Sequence, residues 1–85
     1  MDSRIKILRF AYLQHPQAFS GADLINQLRI ITPYPALDKL EDEGLLKSWW
    51  FGDVFPRKKV YYLSRAGLSA AASYALSPVE GIPQR

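Results

Sequence analysis

Eighty-five residues make one domain, near the lower size at which a single core folds alone, and 48% hydrophobic residues, four Phe, two Trp and five Tyr among them, supply that core. Cysteine is absent and His15 is the one histidine, which excludes a disulfide framework and any ordinary zinc site. The net charge of +3 permits a nucleic-acid partner without requiring one, and position matters more than the sum: acids gather at Asp38, Glu41, Asp42 and Glu43, bases at Arg57, Lys58 and Lys59.

The N-terminus Met1-Asp2-Ser3-Arg4 lacks the basic-then-apolar pattern of a signal peptide, and charges break every apolar stretch before it could span a membrane. A cytoplasmic location is expected. Residues 3–15 read as a first helix, capped by Asp2 or Ser3 and ended at His15-Pro16, because the residue before proline avoids the helical region. Ile5, Ile7, Leu8, Ala11 and Tyr12 share a broad core face. Phe10 and Leu13 point away from it, beside Lys6. Either the helix is buried all round, or these two cover a partner subunit.

Phe19 is expected in a brief strand or as a core anchor. Ser20 caps a second helix over residues 21–28, with Asp23 at its N3 position and Ala22, Leu24, Ile25 and Leu28 as its apolar contacts. Residues 29–31 form a turn. Thr32 then caps a third helix, with Pro33 and Pro35 inside the first turn, where a missing N–H does no harm, and Gly44 at the left-handed position that ends helices. Leu37 and Leu40 fall on one face, and Tyr34, Asp38, Lys39, Glu41 and Asp42 lie elsewhere. Glu41, Asp42 and Glu43 read as a solvated acidic end.

The period then changes from helix to strand. Residues 45–51 alternate, with Leu46, Ser48 and Trp50 on one face and Leu45, Lys47, Trp49 and Phe51 on the other. Burial in a core or interface is expected for Trp49 and Trp50, in preference to stacking on bases of a single strand. Residues 52–56 make a loop too long for a tight hairpin turn. Residues 59–63 return, Val60 and Tyr62 facing opposite to Tyr61 and Leu63. Ser64 caps a last helix over residues 65–76, whose stripe of Leu68, Ala71, Ala72 and Ala75 lets another helix approach closely. Residues 1–77 form the domain and 78–85 a flexible tail.

The fold expected is mainly α with a β-hairpin: a winged helix-turn-helix with a three-helix core, a β-wing and a C-terminal helix. A helix set into a major groove contacts DNA through its N-terminal residues, which here are Thr32 and Tyr34, with Lys39 reaching the backbone one turn on. Arg57, Lys58 and Lys59 on the wing put three cations within reach of one phosphate strand. Asp38 would repel phosphate, or accept a hydrogen bond from a cytosine amino group. With no nucleophile–base pair, phosphate loop or metal cluster, neither an enzyme nor a cofactor is expected.

The string Tyr34-Pro35-Ala36-Leu37-Asp38-Lys39-Leu40-Glu41-Asp42-Glu43-Gly44-Leu45-Leu46 resembles the recognition-helix region of PadR-type transcriptional regulators. Pro56-Arg57-Lys58-Lys59-Val60-Tyr61-Tyr62-Leu63-Ser64-Arg65-Ala66-Gly67 resembles that family's wing strand and the start of its last helix. With residues 21–28, the likeness spans most of 5–76. It implies a regulator of double-stranded DNA, a repressor working as a homodimer, with Tyr34 facing DNA. It also implies pairing of subunits through the first and last helices, where Phe10, Leu13, Leu68 and Ala72 are the candidates. Two departures from the family pattern stand out: the turn at residues 29–31 is short, and Asp38 replaces a basic residue. Both suit a second reading, a winged-helix adaptor that binds protein through its acidic helix and aromatic hairpin.

Overall fold

The computed structural model describes residues 2–52 and 57–76, the last two by backbone alone. Most of the expected hairpin loop (53–56) and the expected tail (78–85) lie outside these residues.

Helix α1, Ser3–Gln14, starts where Asp2 accepts a hydrogen bond from the Arg4 N–H at 3.0 Å and stops as His15 donates back to the Ala11 carbonyl. Its buried residues are Ile7, Leu8, Phe10 and Ala11. Phe10 is therefore not outside the core stripe. Its ring meets that of Phe19 in β1, Phe19–Ser20, edge to face at 5.5 Å. A ring so placed is unavailable to a partner subunit, which corrects that expectation. Leu13, by contrast, is 76% exposed.

Helix α2, Gly21–Leu28, carries the full capping box: Ser20 accepts from the Asp23 N–H, and the Asp23 carboxylate accepts from the Ser20 N–H. Leu24 is wholly buried, but Ala22 and Ile25 are exposed and only the edge of Leu28 reaches the core. Arg29 ends the helix in the left-handed region at φ 58°, strain of about 1–2 kcal/mol for a residue with a Cβ. That sharp reversal lets a short turn send Ile30 straight into the core.

Helix α3 is Tyr34–Asp42, with Pro33 rather than Thr32 at its N-cap and no side-chain cap. Thr32 lies one residue before that cap, makes no capping bond, and is exposed. The other end closes as expected. Gly44 takes φ 79°, its N–H bonds to the Glu41 carbonyl, and the Leu45 N–H reaches the Leu40 carbonyl at 3.0 Å. Leu37 and Leu40 are wholly buried.

Strands β2, Leu46–Phe51, and β3, Lys58–Leu63, pair antiparallel from Leu46 opposite Leu63 to Phe51 opposite Lys58. β1 adds on the other side of β3, giving the order β1-β3-β2. Tyr61 and Leu63 turn inward, and Tyr61 stacks on Phe19. Helix α4, Arg65–Leu76, follows Ser64, whose hydroxyl accepts from the Gly67 N–H at 2.9 Å and donates to the Gly44 carbonyl at 2.5 Å. One serine thus starts α4 and pins it to the end of α3. Ala71 is wholly buried, with Leu68 packed at the margin of the core. This is the winged-helix arrangement expected: helices around one core, with a β-wing.

Candidate nucleic-acid interface

A cleft of about 430 Å³ opens between α3 and the wing, lined by Tyr34 and Asp38 on one side, Trp50, Arg57, Lys58, Lys59 and Tyr61 on the other, and the start of α2 at its end. Four of the six sequence-derived binding candidates meet here: Tyr34, Arg57, Lys58 and Lys59. Thr32 and Lys39 are exposed residues outside this lining.

Tyr34, the first residue of α3, packs its ring over Gly21. A Cβ at Gly21 would lie 2.5 Å from the ring, so a larger residue there would make the Tyr34 ring shift. Tyr34 as a whole is half exposed. It therefore combines contact with α2 and a place in the cleft lining. One turn on, Asp38 occupies the same side, and the next turn brings Glu41 to the wing.

The wing supplies the cations through its register. Trp50 stands opposite Lys59, and Ser48 opposite Tyr61. The Lys59 ammonium lies 5.6 Å from the Trp50 ring centre and 5.5 Å from that of Tyr61, and the Arg57 guanidinium sits 5.7 Å from the Trp50 ring. Such contacts hold cations at an aromatic wall without neutralising them. Trp50 is thus not a core residue. It is 55% exposed, because the alternation that buries Leu46 carries the strand past the edge of the small core before position 50. Trp49, 56% exposed on the opposite face, departs from the core expectation for the same reason.

Two of the three acids that end α3 are not simply solvated. Glu41 accepts a hydrogen bond from the Ser48 hydroxyl at 2.6 Å and places its other oxygen 3.8 Å from the Lys59 ammonium. Glu43 pairs with Arg4 on α1, an interaction that raises the Arg4 pKa further above its usual value. The solvated reading holds for Asp42, which is exposed. Each half-exposed ion pair is worth no more than about 1 kcal/mol, but together they orient α3 against α1 and the wing. The field at the cleft floor is visible at Tyr61, whose hydroxyl is pushed above the usual phenol range by burial, with Asp38 and then Glu41 adding to the effect.

The cleft is therefore mixed. Arg57, Lys58, Lys59 and two aromatic rings face a carboxylate, Asp38. Trp50 and Gly21 were missed as site residues, although the cross-strand pairing of Trp50 with Lys59 follows from strand alternation. Nothing in the residues around Gly21 signals that Tyr34 lands on it. Among the described residues no group of three or more His, Cys, Asp or Glu is placed to hold a metal ion, and no helix is long and apolar enough to cross a membrane.

No family model and no curated protein matches the chain. Solved structures do. A PadR-like transcriptional regulator from Bacillus cereus is 26% identical with a TM-score of 0.67, the match covering 100% of this chain and 52% of that one. This chain thus spans about half the length of that regulator. The circadian clock associated protein Pex from Anabaena matches with a TM-score of 0.68 at 20% identity, covering 88% of this chain and 75% of that one. Pex from Synechococcus matches at 0.63 and 20%, covering 88% and 77%. The two Pex likenesses speak for the fold. The chain resembles PadR-type regulators in its recognition-helix and wing motifs and in its winged-helix fold.

Proposed function

We propose that this chain is the double-stranded DNA-binding domain of a PadR-like transcriptional regulator, a cytoplasmic repressor that occupies its operator as a homodimer. The observation that carries the reading is the meeting of Tyr34, at the N-terminus of α3, with Arg57, Lys58 and Lys59 across one cleft. In this reading the start of α3 enters the major groove, with Thr32 and Tyr34 toward base edges and phosphate. The wing cations hold the flanking backbone, and Lys39 reaches it from the exposed side of α3. The likeness to the Bacillus cereus protein, a PadR-like transcriptional regulator, supports the same assignment. Leu13 on α1 and Leu68 and Ala72 on α4 serve the contact between subunits, Leu13 being exposed and the other two half-buried.

A specific observation favours a second reading, a protein-binding adaptor. The exposed side of α3 carries Asp38 and Asp42 against Lys39, which suits a basic protein better than phosphate. Selection of binders from a random duplex library separates the two. The regulator enriches a two-fold symmetric site with half-sites about one helical turn apart. A library that enriches no sequence after repeated rounds, with the protein folded throughout, sinks it.

A further inference from the structure

The wing has a second face that the cleft does not use. Strand alternation puts Lys47, Trp49 and Phe51 on the side opposite Leu46, Ser48 and Trp50, and the ladder sets Tyr62, Val60 and Lys58 across from them. Trp49 is 56% and Phe51 65% exposed. The Trp49 ring lies 5.7 Å from that of the half-buried Tyr62, tilted by 58°, and Phe51 stands two residues further along the same face. Large aromatic groups held together in water mark a contact surface.

Charge says what kind of ligand fits. Lys47 stands opposite Tyr62, and Lys58 opposite Phe51, so cations flank the rings at both corners of this face. Neither strand carries a carboxylate. The complement of flat apolar rings bounded by ammonium groups is a chain of flat π-systems joined by negative charges. Side chains two apart on a strand are about 6.8 Å apart, room for one ring face per unstacked base. A duplex cannot supply those faces, because its bases are stacked on one another.

We propose that the outer face of the wing binds single-stranded nucleic acid, with bases stacked on Trp49, Phe51 and Tyr62 and phosphates held by Lys47 and Lys58. The stacking rings and Lys47 lie outside the cleft lining, Lys58 is the one residue the two sites share, and the proposal does not depend on the duplex reading. Stacking on aromatics is tolerant of sequence, so the site discriminates single from double strands rather than one sequence from another.

The test is fluorescence anisotropy of the whole chain with a labelled thymidylate oligomer of about 16 nucleotides, beside an abasic deoxyribose-phosphate oligomer of equal length. Binding of the thymidylate oligomer is expected to be about tenfold tighter than that of the abasic one, a comparison that needs no variant. Trp49→Ala and Phe51→Ala should each weaken thymidylate binding about tenfold, and Trp49→Phe should stay within about twofold of the parent. Duplex affinity of Trp49→Ala should be unchanged, which separates failure here from failure of the cleft. Equal affinity for the abasic oligomer overturns the proposal, since charge alone would then explain binding. So does thymidylate binding indifferent to Trp49→Ala. A concentration-dependent association of the protein that Trp49→Ala abolishes, without oligomer binding, overturns it in favour of a protein-contact surface.

Discussion

Asp38 decides how strongly the cleft attracts an anion. It sits one turn from Tyr34 and faces Arg57, Lys58 and Lys59 across the opening. A carboxylate a few ångströms from an incoming phosphate is repelled by roughly 1 kcal/mol in solvent-like surroundings. Asp38→Asn removes the charge and keeps the shape. Duplex affinity is expected to rise about fivefold at low salt, and the gain to shrink as salt is added. Lower affinity in the variant would mean that Asp38 accepts from a base instead. Tyr61 gives a second prediction at this scale. Its pKa is raised in the folded protein, so its contribution to stability is fully present below about pH 10, where the unfolded phenol titrates, and is lost as pH rises toward the folded value. Urea unfolding of the parent should lose stability above that pH, and Tyr61→Phe should lose less. Identical alkaline losses would show that Tyr61 ionises as readily in the fold as out of it.

The elements were legible where their ends carry their own chemistry. The Ser20–Asp23 pair marks α2, and Gly44 with the following leucines marks the end of α3, because these signals act within a few residues and need no tertiary partner. Thr32 misled because the helix starts one residue later than its capping pattern suggests, at Tyr34 with Pro33 in the cap position. Long-range placement could not be read. Phe10 is core because its ring meets Phe19 of β1, and Trp50 is exposed because the core runs out beneath the strand. Both facts depend on elements distant in sequence.

The junction between α3 and α4 is the most consequential of these long-range contacts. Ser64→Ala strips the Gly44 carbonyl of its donor and the Gly67 N–H of its acceptor. A loss of about 1–2 kcal/mol is expected in urea unfolding, with the m-value unchanged. Gly67→Ala should cost about 3 kcal/mol, since its Cβ would lie 1.8 Å from the Leu45 carbonyl oxygen, which is backbone and cannot step aside. A Gly67→Ala protein as stable as its parent would contradict this packing.

At the scale of the molecule, the cleft proposed to bind DNA has two walls joined by Glu41, hydrogen-bonded to Ser48 and paired with Lys59. These contacts favour one placement of Lys59 beside α3 without neutralising the cleft. The fold class was accessible from sequence, as were Tyr34, Arg57, Lys58 and Lys59, which come together in the cleft, because patterning and charge clustering are one-dimensional signals. The sign of the field in the cleft was not, because it depends on which carboxylates are already paired.

DNA binding through the cleft is tested most directly by a salt titration of duplex binding, followed by fluorescence anisotropy, for the parent and for Arg57→Ala/Lys58→Ala/Lys59→Ala. A steep fall of log affinity with log salt is expected in the parent, and a slope shallower by about 2 to 3 units in the variant, since each released phosphate contact removes about 0.9. No binding by the parent at low salt, with its far-UV spectrum intact, would contradict a DNA-reading cleft.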